Sequence, residues 1–98
     1  MPHYVYRVIP KRPDFIRTMS EADRAIIGRH WNYLQEQFAA GKINVVGRCE
    51  HGEYGLTIVE VPSPEEARQI MQGDPAVAEG LMDAEMHEFR LLLFRPPA

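Results

Sequence analysis

The chain has 98 residues, 45% hydrophobic and 26% charged, with a formal net charge of −3 and a sequence pI near 5.8. This size and balance fit one globular domain over 1–98 with a modest core. They exclude nucleic acid as the main partner, since phosphate binding needs a concentrated basic surface, and no run approaches the roughly 20 apolar residues that span a bilayer.

"YVYRVIP" (Tyr4–Pro10) is aromatic and β-branched and stops at a proline, so it reads as a strand. "KRPDF" is a loop, and the basic residues Arg7, Lys11, Arg12 and Arg17 around it read as solvated rather than as a phosphate site. Thr18 with Glu21, or Ser20 with Asp23, starts a helix. It runs to about Ala40 with Ile27, Trp31, Leu34 and Phe38 as its inner face, and Gly41 stops it. "INVVGRC" (Ile43–Cys49) and "YGLTIVEV" are strands of a hairpin turned at "EHGE". Ser63, Pro64 and Glu66 open a second helix whose inner stripe is Ala67, Ile70 and Met71, and Gly73 ends it. Asp74-Pro75 leaves room for a short extra helix before a last strand, "EMHEFRLLLF". The tail 95–98 is expected to fray.

The order β-α-β-β-α-β predicts a ferredoxin-like α+β sandwich, two helices on one face of a four-stranded antiparallel sheet. A sheet with one wet face alternates apolar with polar residues. Here Tyr4, Tyr6 and Val8 alternate with Val5, Arg7 and Ile9, Leu56 and Ile58 with Thr57, Val59 and Val61, and Leu91 and Leu93 with Leu92 and Phe94. Both faces are largely apolar, so a second chain packed sheet to sheet is expected.

Histidine titrates nearest neutral pH, which makes each of the histidines a candidate for proton transfer. His3 lies near the start of the chain, His51 in a turn, and His87 on the last strand, where a tolerated strand histidine is the simpler reading. His30 sits mid-helix between Ile27 and Leu34, at the border of the buried face. Two readings stand for it: a core histidine satisfied by a backbone carbonyl, or a general acid or base. Asp74 caps the segment that Pro75 opens, and a capping carboxylate can also orient an imidazole. The helix seam of the predicted fold is where the two would meet. Cys49 is the lone cysteine, so no intrachain disulfide forms, which fits a cytoplasmic location. The opening "MPHYVYRVIP" has no long apolar stretch of the signal-peptide kind. No metal-ligand spacing and no nucleotide-binding glycine motif occurs, so no metal and no cofactor is expected.

His30 followed by "YLQEQFAAGKINVVG", then "GLTIVEVPSPEEARQIMQGDP" and "EGLMDAEMHEF", resembles the YciI-like family of YCII-related domains from Tyr4 to Phe94. The resemblance implies dimers whose sheets pack face to face, a dimeric α+β barrel, with a His-Asp pair in a pocket; residue by residue that pair falls on His30 and Asp74. Many relatives have Gly-Pro after the second strand where this chain has Gly47-Arg48, and Arg48 could add a cation for an anionic ligand. Relatives that remove chloride from a hydroxyquinol, or isomerise a muconolactone, imply cofactor-free proton transfer on a small cyclic substrate. The expected function is therefore that of a lyase or isomerase. A non-catalytic ligand-binding or accessory module is the alternative, and a cofactor-free oxygenase a further one.

Overall fold

The computed structural model describes residues 1–98. The chain runs β1 (His3–Pro10), α1 (Glu21–Ala39), β2 (Ile43–Arg48), β3 (Gly55–Glu60), α2 (Pro64–Gly73), α3 (Pro75–Ala78) and β4 (Met82–Phe89), with a 3₁₀ turn at Ile16–Thr18 ahead of α1. The four strands form one antiparallel sheet in the order β2-β3-β1-β4. This is the ferredoxin-like α+β sandwich that the order of elements predicts. No helix is long and apolar enough to cross a membrane.

Alternation along the strands decides which side chains meet the helices. On β1, Tyr4, Tyr6 and Val8 are buried, and the register sets Tyr4 against Val59 and Tyr6 against Thr57. They form one core with Ile43, Val59 and Val61 from the sheet side, Leu34 of α1, and Ala67 and Ile70 of α2. Burying a side chain of the Val, Leu or Ile class contributes about 1.5–3 kcal/mol.

The helix ends follow local chemistry. Of the two candidate pairs for the start of α1, Ser20 and Asp23 form the capping box, each side chain accepting from the other's backbone N–H. At its far end Gly41 takes φ +78. Lys42 N–H then reaches Gln37 O and Gly41 N–H reaches Phe38 O, the left-handed stop that a residue with a Cβ resists. Ser63 caps α2 by accepting from Glu66 N–H; the return bond of a full box is not made.

Two expectations fail. Trp31 and Phe38 do not share the inner face of α1: they are 53% and 59% exposed, whereas Leu34 is 2% exposed. The buried stripe passes instead through Ile27, His30, Tyr33 and Leu34. At 100° per residue, Trp31 and Phe38 sit about 80–100° round the helix from His30, at the edge of the arc. Periodicity gives the width of an apolar arc but not where the sheet will centre on it.

The last strand is displaced as well. It spans Met82–Phe89, not residues 85–94, and Arg90 onward has no regular structure. The reason is its partner: β4 pairs only with β1, and the ladder reaches His3 opposite Phe89. No β1 residue remains to pair with Leu91–Phe94, so those side chains leave the sheet, Leu92 and Leu93 fully into the open. On the sheet face away from the helices, Val5, Ile9, Val45, Leu56 and Ile58 are mixed with Arg7, Glu60, Glu85 and His87. That face is less apolar than the alternation suggested. The basic residues flanking the first loop are largely ion-paired. Arg7 bonds Glu85, Arg12 bonds Asp23 at 2.8 Å, and both Lys11–Asp83 and Arg17–Asp14 lie within 4 Å. The Arg12 bond, with Ser20 N–H behind it, holds the Asp23 carboxyl below the usual carboxylate range.

Truncation distinguishes the two sides of α1. Leu34→Ala should cost about 2–4 kcal/mol, whereas Phe38→Ala should stay within about 1 kcal/mol, as read from urea midpoints at constant m-value.

Candidate functional site

Where β1 ends, the sheet and the helix layer part and leave a cleft. Its floor is Val8 and Gly55, neighbours in the β1–β3 ladder, with Pro10 and Met82 beyond them. Ile27 and His30 of α1 form one wall, Phe15, Ile16 and Met19 of the incoming loop another, and Arg48, Gly52 and Tyr54 of the β2–β3 hairpin the third. The cavity measures about 310 Å³, and its lining is mostly apolar, the character of small-molecule sites.

His30 is the group in this wall with acid-base chemistry near neutrality. Its side chain is 16% exposed, and its Nδ1 lies 2.6 Å from Asp74 Oδ1. A carboxylate only accepts, so Nδ1 carries the proton and Nε2 is the nitrogen left for the cleft. Asp74 itself is 0% exposed. It closes α2, opens α3, and accepts from Ala76 N–H at 3.0 Å through the same Oδ1. Its other oxygen, Oδ2, accepts from the Tyr6 hydroxyl at 2.9 Å. The cap and the imidazole partner are thus one carboxylate.

The surroundings keep that carboxylate in place. Burial, and then the Asp74 charge, push the Tyr6 phenol far above the ordinary tyrosine range, so it stays a donor. Tyr33 is raised by the same two causes, and its hydroxyl donates to Ile70 O at 2.8 Å. A Cβ at position 73 would come within 2.9 Å of that hydroxyl. On the open side, Arg29 bonds Glu79 through Nε and Nη2 at 2.7–3.1 Å, tying the end of α3 to the helix turn that carries His30. Exposed pairs of this kind contribute little stability.

Arg48 stands in the hairpin wall of the same cleft as His30. Its Nη1 donates to Cys49 O and Glu50 O at 3.2 Å each, leaving the rest of the guanidinium open. Tyr54 beside it lies under the Arg7 guanidinium, 4.7 Å from the ring centroid. The other histidines lie elsewhere: His3 is 3.9 Å from Glu60, while His51 and His87 are exposed. Cys49 is half-buried in the hairpin, its N–H on Tyr54 O and its O on Gly52 N–H. No group of three or more His, Cys, Asp or Glu side chains is placed to hold a metal ion.

Sequence reasoning missed Tyr6, which it placed only on an apolar face, and the wall of Phe15, Ile16 and Met19, of which it read Phe15 as the end of a loop and gave the other two no role. Only the three-dimensional pairing brings residue 6 to residue 74. The one signal for the wall was the spacing of Phe15, Ile16 and Met19 after Pro13.

A family model, the YCII-related domain, matches residues 4–90. Among solved structures, the chain is similar to the 5-chloro-2-hydroxyhydroquinone dehydrochlorinase of Burkholderia phenoliruptrix AC1100 in complex with 2,5-dihydroxybenzoquinone. The identity is 21% and the TM-score 0.67, over 92% of this chain and 94% of that one. At that identity the likeness shows the fold. None of the curated proteins matches in sequence.

At the mouth, Gly52 has φ +78, and a Cβ there would stand 2.5 Å from Ile16 Cδ1. Gly52→Ala should therefore strain the turn and displace Ile16, costing about 1–2 kcal/mol. Thermal melts of Gly52→Ala, Ile16→Ala and the double variant check this: the double variant should recover the clash part but not the backbone part.

Proposed function

The chain belongs to the YCII-related domain family, and on that premise we propose that it is a small cofactor-independent enzyme of lyase or isomerase type. In this reading His30 and Asp74 move a proton on a small cyclic or anionic substrate. The observation that carries it is the 2.6 Å contact between His30 Nδ1 and Asp74 Oδ1 in the wall of an apolar cleft. His30 Nε2 takes a proton from an acidic O–H or C–H of the substrate. The electron pair left behind forms the new double bond. In elimination a leaving group departs with its own bonding pair; in isomerisation His30 returns the proton to another carbon. Asp74 holds the ring in its Nδ1–H tautomer and stabilises the imidazolium that forms. Arg48 is proposed to meet an anionic substituent.

The cavity of about 310 Å³ admits one substituted ring. A dihydroxybenzoquinone, the molecule bound by the similar dehydrochlorinase, is flat and anionic when ionised, and it serves as the first probe. We extend the proposal to a homodimer through the sheet face and to a cytoplasmic setting. Half-buried Val5, Ile9, Val45 and Leu56 on the uncovered face, with Leu91 and Phe94 beside Val45, support the dimer. The half-buried free thiol of Cys49 is compatible with the setting.

His30→Ala should abolish chloride release from chlorinated hydroxyquinols, or isomerisation of enol lactones. Asp74→Asn, which still caps α3, should lower the rate by about 10². Binding of 2,5-dihydroxybenzoquinone with no turnover of any such substrate would favour the ligand-binding module, and dioxygen uptake the oxygenase. Chelators should leave turnover unchanged.

Light scattering at micromolar concentration should give about twice the 11.3 kDa chain mass or a multiple of it, with an interface above roughly 1,000 Å². A monomer there would remove the sheet-to-sheet assembly.

A further inference from the structure

Tyr6 is one of the largest fully buried side chains, 1% exposed, yet it carries a hydroxyl. Apart from Thr57, its partner across the β1–β3 ladder, its neighbours in the core are aliphatic or aromatic, and a phenylalanine would fill the same volume. The hydroxyl donates to Asp74 Oδ2 at 2.9 Å, with Thr57 as a weaker second neighbour. Position 6 is on the sheet and position 74 between two helices, so the bond crosses the whole layer boundary. Oδ1 is already shared by His30 and Ala76 N–H, and Oδ2 has no other donor.

We infer that Tyr6 is a positioning residue that sets the proton affinity and orientation of the His30–Asp74 pair from behind. By donating to Oδ2 it draws charge away from Oδ1 and stops the carboxylate from turning about its bond. Nδ1 therefore keeps its proton and Nε2 stays aimed at the cleft. The inference rests on His30 being the proton carrier, but its main readout does not require turnover. Other titratable or charged groups near the pair are Tyr33 of α1, Arg48 of β2 and Tyr54 of the hairpin, while Arg29 and Glu79 bond one another beside it. None of these donates to Oδ2.

Removing the donor leaves the pair's negative charge less stabilised, so the pair binds a proton more tightly. In Tyr6→Phe, the titration midpoint of the His30 ring, followed by nitrogen-15 NMR, should rise by about one pH unit. If a substrate is in hand, kcat should fall about tenfold with KM little changed, and the acid limb of the profile should move up with the NMR midpoint. Incorporating 3,5-difluorotyrosine at position 6 keeps the shape and strengthens the donor, so the midpoint should move down. That second variant keeps the test open if Tyr6→Phe unfolds, because its downward shift is read by itself: no shift in the folded difluorotyrosine protein overturns the inference. A midpoint unchanged in both folded variants overturns the inference. Opposite midpoint shifts in a protein whose His30→Ala variant retains turnover would leave Tyr6 positioning the pair and remove the catalytic reading of His30 instead.

Discussion

The Asp74 carboxylate is out of water, and that constraint organises the molecule. A buried carboxylate without donors costs several kcal/mol. Here its donors come from three directions: Tyr6 on the sheet, His30 on α1, and Ala76 in the turn that Asp74 itself caps. To supply them, β1 must present Tyr6 inward, α1 must turn His30 toward the seam, and α2 must end where it does. No buried side-chain polar atom in the protein lacks a partner. A polar cluster satisfied this completely rigidifies the junction it occupies, whereas one missing a donor would weaken it.

Much of this was legible in the sequence because it is local. Ser20-x-x-Asp23, Gly41, Ser63-Pro64 and Asp74-Pro75 each announce a helix end through their own backbone chemistry, and the element order then fixes the fold. His30 stood out because a titratable residue lay between Ile27 and Leu34. What stayed hidden is non-local. The rotation of α1 that exposes Trp31 and Phe38 depends on where the sheet lies, and the end of β4 depends on where β1 begins. The Tyr6 hydroxyl looks, in a string of apolar strand residues, like one more core aromatic. The joining of residues 6, 30 and 74 is a product of topology, and spacing alone carried no trace of it. Family likeness pointed to two of those residues but not to the third.

The cleft divides its labour cleanly between walls. Val8, Pro10, Ile27 and Met82 offer only shape, and the polar side chains are His30 on one side and Arg48 and Tyr54 on the other. In an apolar wall the electrostatic influence of each group is larger than in water. A proton lifted by His30 would leave charge that the Arg48 side of the cleft is suited to meet. Ile16 lies over Gly52 at the cleft, with no room for a Cβ between them.

A buried carboxylate cluster is poor cement. Replacing such a cluster with well-packed apolar residues of similar volume is often neutral or stabilising. The surrounding core, with Val59, Val61, Leu34 and Ala67 almost fully buried, is apolar. Capping α3 needs only the Ala76 bond to Asp74 Oδ1, which an exposed serine or asparagine could provide. Stability therefore explains the cap but not the burial of the carboxylate, the phenol behind it or the imidazole before it. The imidazole is also the member of the cluster left in a cavity wall, with a nitrogen the cluster does not use. A cluster whose stability a well-packed apolar replacement can match, fully bonded on its inner side and open on its outer side, is arranged as a site would be, which is why the proton-transfer reading is preferred to a structural one.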